Sequence, residues 1–152
     1  MARSSETMFN RPGTEKDLKV IVDIEKQSFP NDPWPAATFD WMVSHQDYTT
    51  TVAEQNGEIA GFIIASKPTD GWIYVHDVAV AATWRHKGVG RYLMAVVLDH
   101  ARQQHCSVHL HVQDGNEPAI QLYLSLGFEE RARIKGYYPD NSDGLHMSWS
   151  AT

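Results

Sequence analysis

Residues 78–91 run Val78-Ala79-Val80-Ala81-Ala82-Thr83-Trp84-Arg85-His86-Lys87-Gly88-Val89-Gly90-Arg91, and this stretch decides the fold. A strand ends at Val80, and an amphipathic helix pattern begins at Gly88. The two glycines let the backbone approach a ligand closely, and the free N–H groups of the first helical turn point toward it. Positive charge surrounds them, from the helix dipole and from Arg85, Lys87 and Arg91. The stretch therefore predicts a site for an anionic group such as a phosphate.

The glycine loop fits neither of two well-defined phosphate-binding motifs. It contains no G-x-G-x-x-G, which a dinucleotide site needs, and no G-x-x-x-x-G-K-[ST], which a nucleoside triphosphate site needs. The pattern that remains is R-x-x-G-x-G. Taken alone, it is equally compatible with a tight strand-to-helix turn whose charges are solvated.

Helix and strand patterns alternate on both sides of this stretch. On the N-terminal side we predict a helix capped by Thr14 and stopped by Pro30–Pro35, a short helix carrying Phe39, Trp41 and Met42, and strands at Tyr48–Glu54, Glu58–Lys67 and Trp72–Val80. Asn56-Gly57 is a strong hairpin signal between the first two of these strands. On the C-terminal side we predict helices at Gly88–His105 and Asn116–Leu126, and strands at Ser107–Val112, Phe128–Gly136 and Leu145–Trp149.

The order β-α-α-β-β-β-α-β-α-β-β predicts one α/β (α+β) domain over residues 1–152. Its sheet is mixed, mostly antiparallel and of about seven strands, with about four flanking helices. Because a helix joins Trp72–Val80 to Ser107–Val112, these two strands are expected to be parallel. Residues 1–6 are expected to form a flexible tail.

Composition excludes several classes of protein. The formal charge of −6 argues against binding of nucleic acid or of a membrane surface. The single cysteine, Cys106, excludes an internal disulfide and a four-cysteine zinc site. The longest apolar stretch, Tyr92–Leu98, is far shorter than the roughly 20 residues of a membrane span, and the N terminus lacks the pattern of a secretory signal. A cytoplasmic location is expected.

In combination, three motifs resemble the GNAT superfamily of acyl-CoA-dependent N-acetyltransferases. They are the strand with Val78-Ala-Val80, the R-x-x-G-x-G loop at Arg85–Gly90, and Asn116-Glu-Pro-Ala-Ile-Gln-Leu-Tyr123 followed by Leu126-Gly-Phe128. The resemblance extends from about Phe9 to Trp149. It implies that acetyl-CoA is the co-substrate, that no metal is needed, and that the sheet is splayed between its fourth and fifth strands.

The resemblance also implies which residues bind acetyl-CoA. Backbone groups of Val78, Ala79 and Val80 would bond the pantetheine amides, and Asn116 and Tyr123 would line the cofactor on its far side. The pyrophosphate would be held by Arg85, His86, Lys87, Gly88, Val89, Gly90 and Arg91. The residues alone also allow other roles for these two side chains. Asn116 can serve as a helix cap, and Tyr123 can pack in the core beside Ile120 and Leu126.

Within the superfamily, the chain is most similar to the N-terminal (α-amino) protein acetyltransferases, including those that act on ribosomal proteins. The similar segments are Ser28-Phe-Pro-Asn-Asp-Pro-Trp34, Leu110-His-Val-Gln113 and Gly136-Tyr-Tyr-Pro139. Bacterial members of this branch usually carry Glu-Val-Arg where this chain has His111-Val-Gln113, whereas a eukaryotic-type subunit has His there and a Tyr matching Tyr74. The expected acceptor is a protein N terminus. A small amine, such as a polyamine, an amino acid or a drug, is the alternative, and a non-catalytic CoA-binding module is a third.

His111 is the predicted general base, assisted by Tyr74. An α-amine, with a pKa of about 7.7–8.0, suits a His base better than a lysine amine near 10.4 does. The resemblance implies that Tyr123 passes a proton to the departing thiolate, and the N–H of Val78 or Val80 is expected to stabilise the oxyanion. The His109-x-His111 pair also allows a metal site, but no third ligand follows at a suitable spacing.

Two further segments are predicted to border the acceptor. They are Phe29, Pro30 and Asn31 after the first helix, and Tyr137 and Tyr138 in the last hairpin. Packing of the two tyrosines on one another is the alternative interpretation. Monomer and homodimer are both compatible with the sequence, and so is an auxiliary subunit.

Overall fold

The structure is a computed structural model that describes residues 7–151, so the tail expected for residues 1–6 lies outside the described residues. The described strands are β1 (Phe9–Pro12), β2 (Tyr48–Gln55), β3 (Glu58–Ser66), β4 (Trp72–Val80), β5 (Ser107–Gln113), β6 (Glu129–Ile134) and β7 (Gly144–Trp149). The described helices are α1 (Leu18–Ser28), α2 (Ala36–Ser44), α3 (Val89–Gln104) and α4 (Glu117–Ser125), with 3-10 turns at Glu15–Asp17 and Ala82–Trp84. The predicted order of elements is confirmed.

The strands form one mixed sheet in the order β1-β2-β3-β4-β5-β7-β6. Strand β4 is parallel to β5, as the crossover through α3 predicted, while β7 is antiparallel to both β5 and β6. Pairing between β4 and β5 runs from Trp72 opposite Ser107 to Val75 opposite Leu110. Both strands continue beyond this pairing, to Val80 and to Gln113. The sheet is therefore open between its fourth and fifth strands, as the family resemblance implied.

Local residue chemistry explains why the elements begin and end where they do. The Thr14 side chain accepts a hydrogen bond from Lys16 N–H, and Asp17 completes a capping box. Asn56 and Gly57 both have positive φ, at 54° and 76°, as a two-residue hairpin turn requires. Asn116 caps α4 by accepting from Ala119 N–H, and Gly127, with φ of 100°, follows that helix. These sequence-based predictions are confirmed.

A few boundaries differ from the prediction. Helix α3 begins at Val89 because Gly88 has a φ of 82°, which is outside helical geometry. Strand β6 ends at Ile134, and Gly136 with φ of 62° begins the loop that follows. The 3-10 turn at Ala82–Trp84 was not predicted.

Two compact units can be described separately. The first comprises the described residues up to Ala65 together with Asp77–Val96, and the second comprises Ser66–His76 and the residues from Val97 onward. In the first unit, Phe39 of α2 is fully buried and meets the ring of Phe62 edge-on at 5.6 Å. In the second unit, the buried side chains include Ile73, Val108, Leu110 and Met147. Among the described residues, no helix combines the length and apolar character that crossing a membrane requires.

Candidate active site

The paired parts of β4 and β5 expose a row of polar rings on one face. Burial alternates strictly along both strands. The buried face carries apolar side chains, namely Ile73, Val75, Val108, Leu110 and Val112, and the other carries Tyr74, His76, His109 and His111. The prediction that His109 and His111 share a face is confirmed, because alternate residues of a strand point to the same side.

The predicted catalytic pair is brought together on this face. The hydroxyl of Tyr74 is hydrogen-bonded to Nδ1 of His111. Burial, followed by the neighbouring Tyr137, raises the pKa of Tyr74 above its usual value, so the phenol keeps its proton and donates it to the bond. Burial, followed by the nearby His146 and His109, lowers the pKa of His111. The neutral form of His111 is therefore favoured near pH 7, with its single ring proton on Nε2, so that Nδ1 accepts the hydrogen bond from Tyr74.

His111 lies in the middle of a column of stacked rings. Tyr137 stacks on one side of it, with ring centroids 4.8 Å apart and planes within 11°, and His146 stacks on the other at 5.2 Å and 23°. His109 continues the column beyond His146 at 5.2 Å, and Trp72 meets His109 edge-on at 5.0 Å. The column fixes the plane of the His111 ring by contacts on both faces.

A chain of hydrogen bonds fixes His146 in turn. Nδ1 of His109 lies 3.0 Å from Nε2 of His146, and Nε2 of His109 lies 3.0 Å from the hydroxyl of Ser107. Burial, followed by the nearby His146 and Arg131, lowers the pKa of His109. The ring beside the candidate base is therefore held by a hydrogen bond to His109, which Ser107 holds in turn.

The last hairpin positions Tyr137 and Tyr138. Their rings meet at 5.0 Å and 83°. A Cβ at Gly144 would lie 3.0 Å from the Tyr137 ring, so a larger residue there would push the ring from its place by a few tenths of an ångström. Burial, followed by Tyr137, raises the pKa of Tyr138 to about 12, which keeps its hydroxyl protonated. The two predicted acceptor residues of this hairpin therefore join the catalytic pair, and their packing on each other is also observed.

An open cleft lies beside the catalytic pair. Its volume is about 480 Å³. Its lining is mostly aromatic and imidazole rings, and the residues are Asp70, Gly71, Trp72, Tyr74, Ser107, His109, His111 and His146. Through this cleft, Tyr74 and His111 are accessible from solvent.

In the first unit, the glycine loop has the geometry of an anion cradle. Gly88 has a positive φ, and a Cβ there would point into open space. The ammonium of Lys87 lies 5.2 Å from the Trp84 ring centroid. Arg85 Nη2 donates to the Gln27 carbonyl at 3.2 Å and to Ser28 Oγ at 3.4 Å, which ties the loop to α1. The loop before α3 therefore leaves space for an anionic group beside a helix N-terminus, which fits a pyrophosphate.

The remaining predicted residues lie as follows. Val78 and Val80 are half-buried on the face of β4 opposite Ala79. Asn116 is the cap of α4, and Tyr123 is 6% exposed with its ring 5.7 Å from that of Phe128. Phe29, Pro30 and Asn31 follow directly after α1. Cap and core roles of Asn116 and Tyr123 are thus observed, and their roles toward a cofactor stay predictions.

The sequence did not predict His146 or Glu25 as members of these sites. His146 lies opposite His111 in the β5–β7 register, and its alternation with Leu145 and Met147 was the available signal. The ring centroids of His76 and Tyr74 lie 4.7 Å apart. Glu25 is buried beside Asp77. His76 and Asp77 point to opposite faces of β4, because neighbouring residues of a strand alternate between its faces.

No group of three or more potential ligands suited to a metal ion occurs among the described residues.

Comparisons with known proteins agree with this geometry. The model of the Acetyltransferase (GNAT) family matches residues 18–128. The chain is 32% identical over 131 residues to "[Ribosomal protein bS18]-alanine N-acetyltransferase" of Escherichia coli K12, covering 84% of each chain. It is 35% identical over 138 residues to the uncharacterized protein ML0378 of Mycobacterium leprae, of which it spans only 38%. The crystal structure of the E. coli ribosomal-protein-S18-alanine N-acetyltransferase superimposes with a TM-score of 0.87 at 27% identity, covering 95% of this chain and 94% of that one.

Three findings decide the family. The family model covers most of the chain, the E. coli relative matches over most of its own length, and the sheet is open. The chain belongs to the GNAT acetyltransferase family and is an N-acetyltransferase.

Proposed function

We propose that this chain transfers the acetyl group of acetyl-CoA directly to the N-terminal α-amine of a protein or peptide. The observation that carries the proposal is the hydrogen bond between Tyr74 and His111 beside an open, ring-lined cleft. The names of the relatives support the same acceptor class, because the E. coli enzyme acts on an alanine of a ribosomal protein.

The basicity of the site favours an α-amine over a lysine side chain. Attack on a thioester requires a neutral amine, and an α-amine has a pKa of about 7.7–8.0 against about 10.4 for lysine. Burial and two neighbouring imidazoles lower the pKa of His111 below its ordinary value, so it is a weak base. Such a base is matched to an amine that is already partly neutral near pH 7.5.

The proton of the amine leaves through Tyr74 to His111. The attacking nitrogen gives its proton to the phenol oxygen as the phenol proton moves to Nδ1 of His111. No phenolate accumulates in this route, which agrees with the raised pKa of Tyr74. The stacked rings of Tyr137 and His146 keep Nδ1 aimed at the phenol throughout.

Residues of β4 and of the glycine loop hold the donor in this proposal. Bound acetyl-CoA supplies an acetyl thioester whose leaving group is a thiolate. Backbone groups of Val78 and Val80 bond the pantetheine arm, and one of their N–H groups stabilises the oxyanion. The residues of the loop from Arg85 to Arg91 hold the pyrophosphate, Asn116 lines the cofactor, and Tyr123 protonates the thiolate.

The acceptor peptide is bordered by the two predicted segments. Tyr137 and Tyr138 hold its first residue, and the raised pKa of Tyr138 keeps its hydroxyl protonated and available as a donor. Phe29, Pro30 and Asn31 form the other border. Ring walls with few charges suit the backbone and first side chain of a peptide better than a polycation.

A panel of acceptors tests the proposal. Acetylation rates are measured with peptides carrying a free N terminus, with peptides whose only amine is a lysine side chain, and with polyamines. We expect kcat/KM to be highest for the free N termini. Preferential turnover of polyamines or lysine peptides would overturn the acceptor class, and binding of acetyl-CoA without any turnover would indicate a non-catalytic module.

A further inference from the structure

Two carboxyl groups are buried against each other in the first unit. Glu25 of α1 is 1% exposed, and Asp77 of β4 is 8% exposed. The Asp77 side chain contacts that of Glu25, and the polar groups that act on it among the described residues are Glu25 and the Val78 N–H. Burial first, and the contact with Glu25 second, raise the pKa of Asp77 well above its usual value.

One oxygen of each carboxyl has no conventional donor. Glu25 Oε1 and Asp77 Oδ2 are buried without a hydrogen-bond partner. None of the ion pairs among residues 7–151 involves Glu25 or Asp77, and the adjacent His76 points to the opposite face of β4. Two ionised carboxylates in such a place would leave two charges buried and unpaired, at a cost of several kcal/mol each. A single proton shared by the two contacting side chains relieves this cost, since one carboxyl becomes a donor and the other its acceptor.

The other oxygen of Glu25 holds a loop. Trp34 N–H donates to Glu25 Oε2 at 2.9 Å, and Phe29 N–H donates to the Glu25 carbonyl at 2.8 Å. A single residue thus bonds both ends of the segment Phe29–Trp34, which contains the predicted acceptor residues Phe29, Pro30 and Asn31. The ring of Trp34 packs on Phe39 of the buried core at 5.5 Å.

We propose that Asp77 and Glu25 share one proton, and that Asp77 is a positioning residue that acts through Glu25 to fix the loop Phe29–Trp34 on β4. The pair thereby joins the loop that borders the acceptor to the strand next to Val78, where the donor binds. The effect on the acceptor rests on the proposed function, whereas the shared proton does not.

The shared proton is tested by the pH dependence of unfolding, which needs no substrate. Because the folded-state pKa of Asp77 is raised above the unfolded value of 3.8, the folded chain keeps a proton that the unfolded chain loses. The contribution of this proton to the free energy of unfolding is fully present below pH 3.8. It is lost as the pH rises through the folded-state pKa of Asp77. Each pH unit in that window multiplies the unfolding constant by about ten. Asp77→Asn replaces the proton by an amide N–H, so we expect its unfolding constant to lose this tenfold change per pH unit over the range above pH 3.8 in which the wild type shows it.

Asp17 provides a matched control. It is 6% exposed, but its carboxyl bonds the guanidinium of Arg11, a bond that lowers its pKa. Asp17→Asn should therefore lower stability by a nearly constant amount at pH values where Asp17 is ionised, with the difference shrinking only in acid, so the slope in the window used for Asp77 should stay as in the wild type. Equal slopes for the wild type and Asp77→Asn would overturn the shared proton.

The positioning role is tested by steady-state kinetics. Asp77→Leu keeps the bulk but removes the donor to Glu25, so we expect the acceptor KM to rise about tenfold at unchanged kcat, the value of one buried hydrogen bond. Asp77→Asn should bring the acceptor KM back to within about twofold of the wild type, because its amide donates in place of the proton. An unchanged acceptor KM in a folded Asp77→Leu, or no recovery in Asp77→Asn, would overturn the positioning role. If α-amine peptides are not acetylated at all, the proposed function fails, while the result of the unfolding experiment still stands.

Discussion

Removal of the Tyr74 hydroxyl tests whether it carries the amine proton or only orients His111. Tyr74→Phe keeps the ring and its contact with His76, and it removes the donor to His111 Nδ1. A hydrogen bond between neutral groups contributes about 0.5–1.5 kcal/mol, which corresponds to a loss of about 2-fold to 13-fold in rate. General acid–base transfer contributes about 10²-fold to 10⁴-fold. The two roles are therefore separated by size, and we expect kcat to fall by about 10²-fold or more.

The assay follows release of CoA at saturating peptide. Tyr48→Phe is a matched control, because Tyr48 packs on Trp41 and His45 in the first unit. It should retain wild-type kcat, and both variants should bind acetyl-CoA with wild-type affinity.

A double variant makes the test stricter. If Tyr74 and His111 act as one unit, the combination Tyr74→Phe with His111→Ala should be hardly slower than His111→Ala alone. A loss of kcat of tenfold or less in Tyr74→Phe, or losses that multiply in the double variant, would refute the proton route through the phenol.

Three further predictions concern the cradle, the base and the core. Gly88→Glu should abolish acetyl-CoA binding, measured by calorimetry, because it places an anion in the cradle; Gly57→Glu, with a similar φ of 76° and equally open space, should bind normally. His146→Gln removes an imidazole that lowers the pKa of His111. The lower break in the pH profile of kcat/KM should therefore move up toward 6.5, and an unmoved break would contradict the influence of His146. Phe39→Ala should lower the free energy of unfolding in urea by about 3–5 kcal/mol, because the ring is fully buried, and a loss below about 1 kcal/mol would contradict its core role.

Local chemistry made most of the fold predictable from the sequence. The hairpin at Asn56-Gly57, the Asn116 cap and the end of α4 at Gly127 each depend on the conformational preferences of one or two residues. The crossover between β4 and β5 follows from a general rule of handedness and connection length. The position of β7 between β5 and β6 does not follow from such rules, because it depends on contacts between residues distant in sequence.

The candidate site likewise has residues that the sequence predicts and residues that only the structure reveals. Strand alternation places Tyr74 and His111 on their exposed faces, and the family resemblance pairs them. His146 could not be found without the register that sets it opposite His111. Glu25 lies on the buried stripe of α1 with Ile21 and Ile24, where an apolar side chain is the usual occupant. Its partner Asp77 comes from a strand more than fifty residues away, so only the structure shows why a carboxyl is tolerated there.

Mass spectrometry of one bifunctional peptide tests the central claim most directly. The peptide carries a free N-terminal amine and an internal lysine, and it is incubated with acetyl-CoA and the wild-type enzyme near pH 7.5. We predict a single acetyl group, located on the α-amine by fragmentation, and none with His111→Ala in the same time. Acetylation mainly of the lysine, or equal modification by His111→Ala, would contradict an α-amine acetyltransferase that uses His111 as its base.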